Sequence, residues 1–227
     1  ELSVNIGLSE VSRKLDILTS SEYAQYQNLA YANSNKYDLT TYTMPYSDRV
    51  VDSLKGVNTN WQDAIMRRAL YQQYSVNVSG GSDLGNHSLS LNYINQEGII
   101  INSNYKKIGL NFNLNRNLGK IFRIGTSTSI ASSTTNGVKT GTDKSDAASA
   151  GVIRSALTYP PTIETEESYS GAGEGFFITN PVIYARDVLN QVKGINIFTS
   201  NYVEIQMAKS LKFRQNLGFN YGSNTRD

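Results

Sequence analysis

The segment Tyr105–Leu118, which reads YKKIGLNFNLNRNL, alternates apolar and amide side chains over most of its length. The two alternating sets are Ile108, Leu110, Phe112 and Leu114 on one side and Asn111, Asn113 and Asn115 on the other. Side chains on a strand project to opposite faces with a period of two, so this run predicts a strand with one apolar and one polar face. The apolar face either packs into a soluble core or faces lipid in a membrane barrel whose interior is lined by the amides.

Seven runs of this kind are predicted as strands. They are Leu2–Ser9, Leu70–Gly80, His87–Asn95, Tyr105–Leu118, Lys120–Ser133, Ile197–Ala208 and Leu211–Tyr221. Most of them are longer than the common strand length of about 5–6 residues in globular proteins. Strands that cross a bilayer need about 9–11 residues because they are tilted, so these lengths favour a transmembrane barrel.

The connections between the predicted strands are long at one end of the sheet and short at the other. Insertions at about residues 10–69 and 134–196 are separated by four strands, an even number, so both emerge at the same end. The tight turns fall at the opposite end, as periplasmic turns do in outer-membrane barrels. We therefore predict an all-β fold with short helices in loops, namely an antiparallel transmembrane β-barrel segment. Which of the two faces is the inner one stays open at this point.

Composition argues against several classes of function. Hydrophobic residues make up 39% of the 227 residues, below the about 45–50% typical of soluble chains. The net charge of +2 is spread along the chain without a basic patch, so nucleic acid is not an expected partner. One histidine, no cysteine and no convergent carboxylates predict no catalytic site, no metal site, no cofactor and no enzyme. The chain opens on ELSVNIGLS without an initiating Met or a signal peptide, and we expect it to be a processed or excised segment.

Short helices are predicted inside the two insertions. Ser20 or Ser21 is the expected cap of the first helix, and Asn60 is the expected cap of the second. A third helix is predicted to begin near Ser145 and to stop at Pro160-Pro161. The stretch SYSGAGEGFFITNP is interpreted as a glycine-rich loop closed by Asn180-Pro181.

Aromatic side chains form two groups of interest. Six tyrosines near strand ends fit either an interfacial girdle or ordinary β-propensity: Tyr71, Tyr74, Tyr93, Tyr105, Tyr202 and Tyr221. In the insertions, the candidate contacts to a partner or a ligand are Tyr26, Tyr42, Phe176 and Phe177. The alternative is that these aromatics only pack the insertions.

A set of short motifs gives the chain a resemblance to a known family. The motifs are Trp61-Gln62-Asp63, Arg67, Ala69-Leu70, Ser79-Gly80-Gly81, Ser90, Tyr93, Glu97–Ile100 and Asn113-Leu114. In this pattern the chain resembles the SusC/RagA group of TonB-dependent outer-membrane transporters. Further matches extend the resemblance over nearly the whole chain: Leu15-Asp16, Glu22-Tyr23-Ala24, Asn180-Pro181 and KSLKFRQNLGFNY. The sequence departs from the pattern at His87, Lys107 and Asn111.

The resemblance implies a barrel of about 22 strands with a plug domain that this chain lacks, so that the chain forms the N-terminal part of the wall. It also implies that the apolar face of the sheet looks at lipid and that its Asn and Ser residues face the lumen. It implies TonB-dependent import of oligosaccharides or peptides in the cell outer membrane of a Gram-negative bacterium. The implied partners are a SusD-like surface lipoprotein, the TonB complex through a missing N-terminal region, the lipid bilayer, lipopolysaccharide, and a glycan or peptide substrate.

Two alternatives to transport stay open at this point. One is a SusC-like barrel that serves as a non-transporting structural subunit of a larger outer-membrane assembly. The other is a soluble β-sandwich that binds carbohydrate.

Overall fold

The computed structural model describes residues 1–37, 41–56, 58–138, 151–165, 180–188 and 190–227. The chain divides into two compact units. The sheet unit comprises Glu1–Glu10, Arg68–Gly137 and Leu189–Asp227, and the loop unit comprises Val11–Arg67 and Val138–Val188.

In the described part of the chain, seven antiparallel strands form one sheet in sequential order. They are β1 (Leu2–Ser9), β2 (Ala69–Ser82), β3 (Gly85–Glu97), β4 (Asn104–Leu118), β5 (Phe122–Asn136), β6 (Gln191–Ala208) and β7 (Leu211–Arg226). The sheet is open: within the described residues, β1 pairs only with β2, and β7 pairs only with β6. The predicted antiparallel sheet with two edge strands is therefore confirmed.

Tight turns join the strands at one end of the sheet. Two residues, Asp83-Leu84, separate the last paired residues of β2 and β3, and Lys209-Ser210 separate β6 and β7. Three residues join β4 to β5, and the first of them, Gly119, has a φ of +71° that favours glycine. The ends of β1 and β5 and the starts of β2 and β6 all lie at the opposite end, so both long connections leave from there.

Several strands are longer than the sequence predicted. The largest difference is in β6, which begins at Gln191 rather than at Ile197. The added residues pair in register with the end of β5, from Gln191 opposite Asn136 to Asn196 opposite Ala131. Lys193 and Gly194 weaken the local strand pattern, but the neighbouring strand supplies hydrogen-bond partners that compensate for the weak propensity.

Five α-helices lie in the described part of the loop unit. They are α1 (Ser20–Tyr37), α2 (Asp48–Ser53), α3 (Trp61–Ile65), α4 (Gly151–Thr158) and α5 (Pro181–Asp187), and a 3₁₀ turn over Leu54–Gly56 follows α2. None of the helices in the described ranges is long and apolar enough to cross a bilayer.

The helix starts test the predicted caps. Asn60 caps α3 as predicted, since its side-chain oxygen accepts from the Gln62 and Asp63 N–H groups. The prediction of Ser20 or Ser21 as the first cap is wrong by one position. Thr19 and Glu22 form a reciprocal capping box instead, in which the Thr19 N–H donates to Glu22 Oε2 at 2.8 Å. The predicted start near Ser145 lies outside the described residues.

The interpretation of Asn180-Pro181 as the closing residues of a loop missed a helix. Asn180 is the N-cap of α5, and its side-chain oxygen accepts from the Val182 and Ile183 N–H groups. Pro181 occupies the first helical position, where a missing N–H costs nothing because that N–H has no partner within the helix.

The loop unit is built around a buried aromatic pair. Trp61 is fully buried and meets the Tyr159 ring edge to face, with centroids 4.8 Å apart. Apolar side chains from both insertions are buried in the same unit: Ala24, Val51, Ile65, Val152, Ala156 and Ala185. The two insertions therefore share one core.

Candidate functional site

One face of the sheet is apolar and uncovered. Residues opposite each other across an antiparallel pair project to the same side, and the register places Val76, Leu91, Leu110, Ile130 and Ile197 in one row of that face. The predicted set Ile108, Leu110, Phe112 and Leu114 lies on this face. Exposure is high along it, with Ile108 at 57% and Leu217 at 70%.

The sheet unit has almost no core of its own. Among its described residues, the buried apolar side chains are Ala69 and Ile100. A soluble sandwich covers such a face with a second sheet about 10 Å away, whereas the described residues form one sheet only. The structure therefore contradicts the β-sandwich alternative and has the bare outer face of a transmembrane barrel wall.

The apolar band shifts along the strands as it crosses the sheet. On β2 it is centred on Val76, and on β7, where it runs from Leu211 to Tyr221, its centre is near Leu217. Following the register from strand to strand, Leu217 on β7 lies in the same row as Gly80 on β2. Gly80 is four residues along β2 from Val76, so the centre of the band shifts by four residues between β2 and β7. Four residues are about 13 Å along a strand, and five strand spacings are about 24 Å. The strands would therefore be tilted by about 30° from the normal of a flat bilayer. This tilt is close to the strand tilt of membrane barrels, which is about 35–45°.

From β2 to β7, the band ends before the end of the sheet from which the insertions leave, whereas on β1 the exposed Ile6 and Leu8 extend it further. One row beyond Tyr74, Tyr93 and Ile108, every position from β2 to β7 is polar. This boundary row consists of Gln72, Asn95, Lys106, Thr134, Lys193 and Thr225. On β4 and β6 the last apolar residues, Ile108 and Ile195, directly precede this row, whereas on β5 and β7 the preceding position is already serine. A change from exposed apolar to polar side chains is expected where lipid gives way to headgroups and water, and its position shifts between strands because the band is inclined.

The opposite face of the sheet is polar. It carries Asn, Ser, Thr and Gly at most positions, including the predicted Asn111, Asn113 and Asn115. Near the tight-turn end, the Tyr202 hydroxyl donates to Asn115 Oδ1 at 2.8 Å, and the Arg214 guanidinium lies 3.9 Å from the Tyr202 ring centroid. Glu204 lies within 3.8 Å of both Lys212 and Arg214. Sequence reasoning missed this cluster, because its members are distant in the chain.

The tyrosines near strand ends do not form a single girdle. Tyr74 and Tyr93 are cross-strand neighbours on the apolar face, with stacked rings 6.3 Å apart, and Tyr221 shares that face. The other three, Tyr71, Tyr105 and Tyr202, fall on the polar face by register. Only half of the predicted set can therefore contribute to an interfacial aromatic belt on the lipid side.

The Trp-Gln-Asp motif, Trp61 to Asp63, bonds to segments of the loop unit that are remote from it in sequence. Trp61 Nε1 donates to the Pro160 carbonyl at 3.0 Å. The Gln62 side chain binds the Leu15 backbone in both directions, accepting from its N–H at 2.9 Å and donating to its carbonyl at 2.7 Å. Asp63 forms an ion pair with Lys14. The motif thus joins the start of the first insertion to the second insertion.

A second set of bonds secures the same proline segment. The Ser20 hydroxyl donates to the Pro161 carbonyl at 2.7 Å in a buried position, and the Thr59 N–H donates to the same oxygen at 3.0 Å. The described residues contain no buried side-chain nitrogen or oxygen without a hydrogen-bond partner. Hydrogen bonds that satisfy every buried polar group favour one packing arrangement of the core over others.

The predicted contact residues have different surroundings. Tyr26 on α1 is 60% exposed and lines a cavity of about 550 Å³ together with Glu22, Leu157 and Tyr159. Tyr42 is also exposed and meets the Tyr31 ring edge to face at 6.0 Å. Phe176 and Phe177 lie outside the described residues.

Glu22, in the same cavity, has a lowered pKa. The first cause is the hydrogen bond from the Thr19 backbone N–H, and the second is the bond from the Thr19 hydroxyl, both of which favour the carboxylate. The ionised side chain also lies in the first turn of α1, where the helix dipole stabilises negative charge.

Comparison with known proteins gives relatives of one kind. TonB-dependent receptor P3 of Formosa agariphila is 27% identical over 222 residues, which are 96% of this chain and 20% of that protein. TonB-dependent receptor SusC of Bacteroides thetaiotaomicron is 27% identical over 48% of this chain and 10% of its own length. The chain thus spans about a fifth or less of the length of the curated relatives it matches. No protein-family model matches it.

Solved structures show the same fold. The RagAB peptide importer in its closed-closed state matches with a TM-score of 0.69 at 15% identity, over 98% of this chain and 28% of that chain. A second structure, of the RagAB peptide transporter, matches with a TM-score of 0.68 at 17% identity. The motifs from Trp61 to Leu114, these relatives and these structures together make the chain similar to the SusC/RagA group of TonB-dependent receptors.

Proposed function

We propose that the chain forms part of the barrel wall of a TonB-dependent importer in the outer membrane of a Gram-negative bacterium. The observation that carries this proposal is the bare apolar face of the sheet, opposed by a face of Asn, Ser and Thr. Such a wall separates lipid from a hydrated passage, so the residues of this chain would enclose cargo on its way across the membrane.

The open edges support a larger barrel. Every residue of β7 is exposed, and its outer edge has no strand partner among the described residues. In hydrocarbon each unsatisfied backbone group costs several kcal/mol, so both β1 and β7 need further strands beside them. The full-length receptor would supply those strands.

The loop unit is the proposed docking region for a SusD-like surface lipoprotein. Its two insertions share one satisfied core, and Tyr26 and Tyr42 are exposed on it. Tyrosine is enriched at protein–protein interfaces, where a ring gives contact area and a hydroxyl gives a hydrogen bond. Long connections at the end opposite the tight turns are extracellular in barrels of this type, which is where such a partner resides.

The proposed cargo is an oligosaccharide or a peptide. The polar face presents amide and hydroxyl groups at most positions, and these groups can donate to and accept from sugar hydroxyls or peptide amides. One of the similar structures is the RagAB peptide importer, which has the fold of this chain.

The test uses the full-length receptor gene in its own bacterium. Uptake of fluorescently labelled oligosaccharides and peptides is measured in the parent strain, in a strain without the receptor, and in a strain without functional TonB. The proposal expects uptake of one cargo class to be lost in both mutant strains and restored by the receptor gene. A receptor that purifies in a stable outer-membrane complex while its deletion changes no uptake would instead indicate the non-transporting structural role.

A further inference from the structure

The boundary row at the end of the apolar band contains two lysines. Lys106 on β4 and Lys193 on β6 flank Thr134 on β5, and each lysine is the direct cross-strand partner of that threonine. Both lysine side chains are exposed. On the same face, the next row toward the tight turns carries the exposed Ile108 and Ile195.

The register places the three residues where their side chains can reach one tetrahedral anion. Adjacent strands lie about 4.8 Å apart, so the Lys106 and Lys193 backbones are separated by about 10 Å. The flexible four-carbon stems let both ammonium groups converge above Thr134, whose hydroxyl is a third donor. Two cations and a hydroxyl within reach of one point would suit a phosphate, whose oxygens can accept from all three.

Two acidic groups face this position. Asp227 Oδ2 lies 3.4 Å from Lys193 Nζ. Glu97, diagonal to Lys106 on the neighbouring strand, accepts from the Leu70 N–H at 3.3 Å. The Lys193 pair is exposed to solvent, and exposed ion pairs are weak, so a phosphate at this position can replace the Asp227 contact. The Lys106 ammonium has no ion pair among the described contacts.

We propose that Lys106, Thr134 and Lys193 bind the phosphate of an anionic glycolipid in the outer leaflet of the membrane. The site lies where the acyl chains of such a lipid would cover Ile108 and Ile195 while its phosphate meets the lysines. Charge complementarity and continuity with the lipid-exposed face select a lipid over a soluble anion. The inference rests on the proposed orientation, in which the long connections are extracellular.

The experiment measures binding of lipid A to the detergent-solubilised full-length receptor. Lipid A that carries its phosphates is compared with the same lipid after chemical dephosphorylation, and inorganic phosphate is added as a competitor. The parent receptor is expected to bind the phosphorylated lipid at least about tenfold more tightly, since charge-assisted hydrogen bonds of this kind typically contribute that much. Inorganic phosphate at millimolar concentration is expected not to displace it.

Matched variants locate the site. The double variant Lys106→Gln with Lys193→Gln is expected to lose the preference for the phosphorylated lipid. Lys107→Gln removes the adjacent lysine on the polar face, and Arg116→Gln removes a cation at the tight-turn end of the apolar face; both are expected to keep the preference. An equal preference in the double variant, or equal binding of both lipids by the parent, would overturn the proposal.

The proposed transport function is tested by different readouts. If the double variant still assembles in the outer membrane and imports cargo but binds both lipids equally, the lipid site is supported and transport is untouched. If the parent receptor assembles but shows no preference between the lipids, the lipid site is wrong and transport still stands. A receptor that never reaches the outer membrane would remove the basis of both.

Discussion

At the scale of single residues, the close approach of the Tyr202 ring to the Gly125 backbone limits which residues the sheet can accept at position 125. The Tyr202 ring lies directly across Gly125, where an added Cβ would come 2.1 Å from Tyr202 Cε1 and 2.7 Å from Asn115 Oδ1. The same ring forms the Tyr202–Asn115 hydrogen bond and lies against Arg214. A side chain at position 125 must therefore displace the whole cluster.

We predict that Gly125→Ala destabilises the sheet by about 1–3 kcal/mol, as overpacking of a filled position does. Gly109→Ala is the matched control on the same face, because its nearest neighbour would be the Ile130 carbonyl oxygen at 3.9 Å. The control is expected to change stability by less than about 0.5 kcal/mol. The measurement is urea-induced unfolding of the full-length receptor in detergent, and equal midpoints for the two variants would contradict the prediction.

A second residue-scale prediction concerns the capping box of α1. Because the pKa of Glu22 is lowered in the folded state, its carboxylate stabilises the helix start above the ordinary value of 4.5. This stabilisation is lost as the pH falls through the lowered pKa. We expect hydrogen exchange of the first amides of α1, corrected for intrinsic rates, to accelerate on acidification below that value.

Glu22→Gln is the variant that isolates the charge. Glutamine keeps an acceptor oxygen for Thr19 but cannot ionise, so protection at neutral pH should be lower and should not change on acidification. The acceleration should be confined to the start of α1, with the Asn60-capped start of α3 as the internal reference. An unchanged pH response in the variant would assign the effect to another group.

At the scale of whole strands, the alternation within β4 can be tested directly. Leu110 lies near the middle of the apolar band, and Asn113 lies three residues away on the other face. We predict that Leu110→Lys costs about 2–4 kcal/mol, because it puts a charge into hydrocarbon, whereas Asn113→Lys costs little. The free energy of unfolding of each full-length variant, refolded into lipid vesicles, provides the measurement. A reversed order would place the asparagines against lipid.

Strand alternation could be predicted from the sequence because it is a local property of each strand. Ile108 through Leu114 alternate without interruption, and the register places them where the pattern indicates. The start of β6 could not be predicted in this way, since Gln191 to Asn196 are held as strand by pairing with β5. Tertiary pairing thus extended a strand whose own residues favour it weakly.

Helix starts were predictable only where one residue is the clear cap. Asn60 precedes the helix it caps, and its prediction was correct. At α1, each of the three consecutive hydroxyl residues from Thr19 to Ser21 could be the cap. Thr19 is the cap because Glu22, three positions later, completes the capping box with it. At α5, the Asn-Pro pair carries both a cap and a first-turn proline, a signal that favours a helix start over a loop end.

The candidate site was partly predictable. The exposure of Tyr26 and Tyr42 agrees with a contact role, which stays a prediction. The clamp formed by Trp61 and Gln62 could be recognised as a motif, but its partners Pro160 and Leu15 are remote in sequence and no local pattern identifies them. Likewise, the face occupied by Tyr71, Tyr105 and Tyr202 depends on the register of each strand with its neighbours.

At the scale of the whole molecule, the ends of the sheet define a topology that chemical labelling can test. The chain contains no cysteine, so a cysteine introduced into it supplies a new thiol at a chosen place. Tyr42→Cys and Phe176→Cys probe the two insertions, and Ser210→Cys probes the tight turn between β6 and β7. A membrane-impermeant maleimide applied to intact cells is expected to label the first two variants and not the third.

The same variants test the proposed lipoprotein contact. With a short bifunctional cross-linker, the cysteine at position 42 or 176 is expected to capture a surface lipoprotein, because the exposed Tyr42 belongs to the unit in which both insertions share a core. The cysteine at position 210 should capture no surface protein, although it should react with maleimide once the outer membrane is permeabilised. Labelling of position 210 from outside, with positions 42 and 176 protected until permeabilisation, would invert the topology. That result would place the lysines of the boundary row at the periplasmic leaflet.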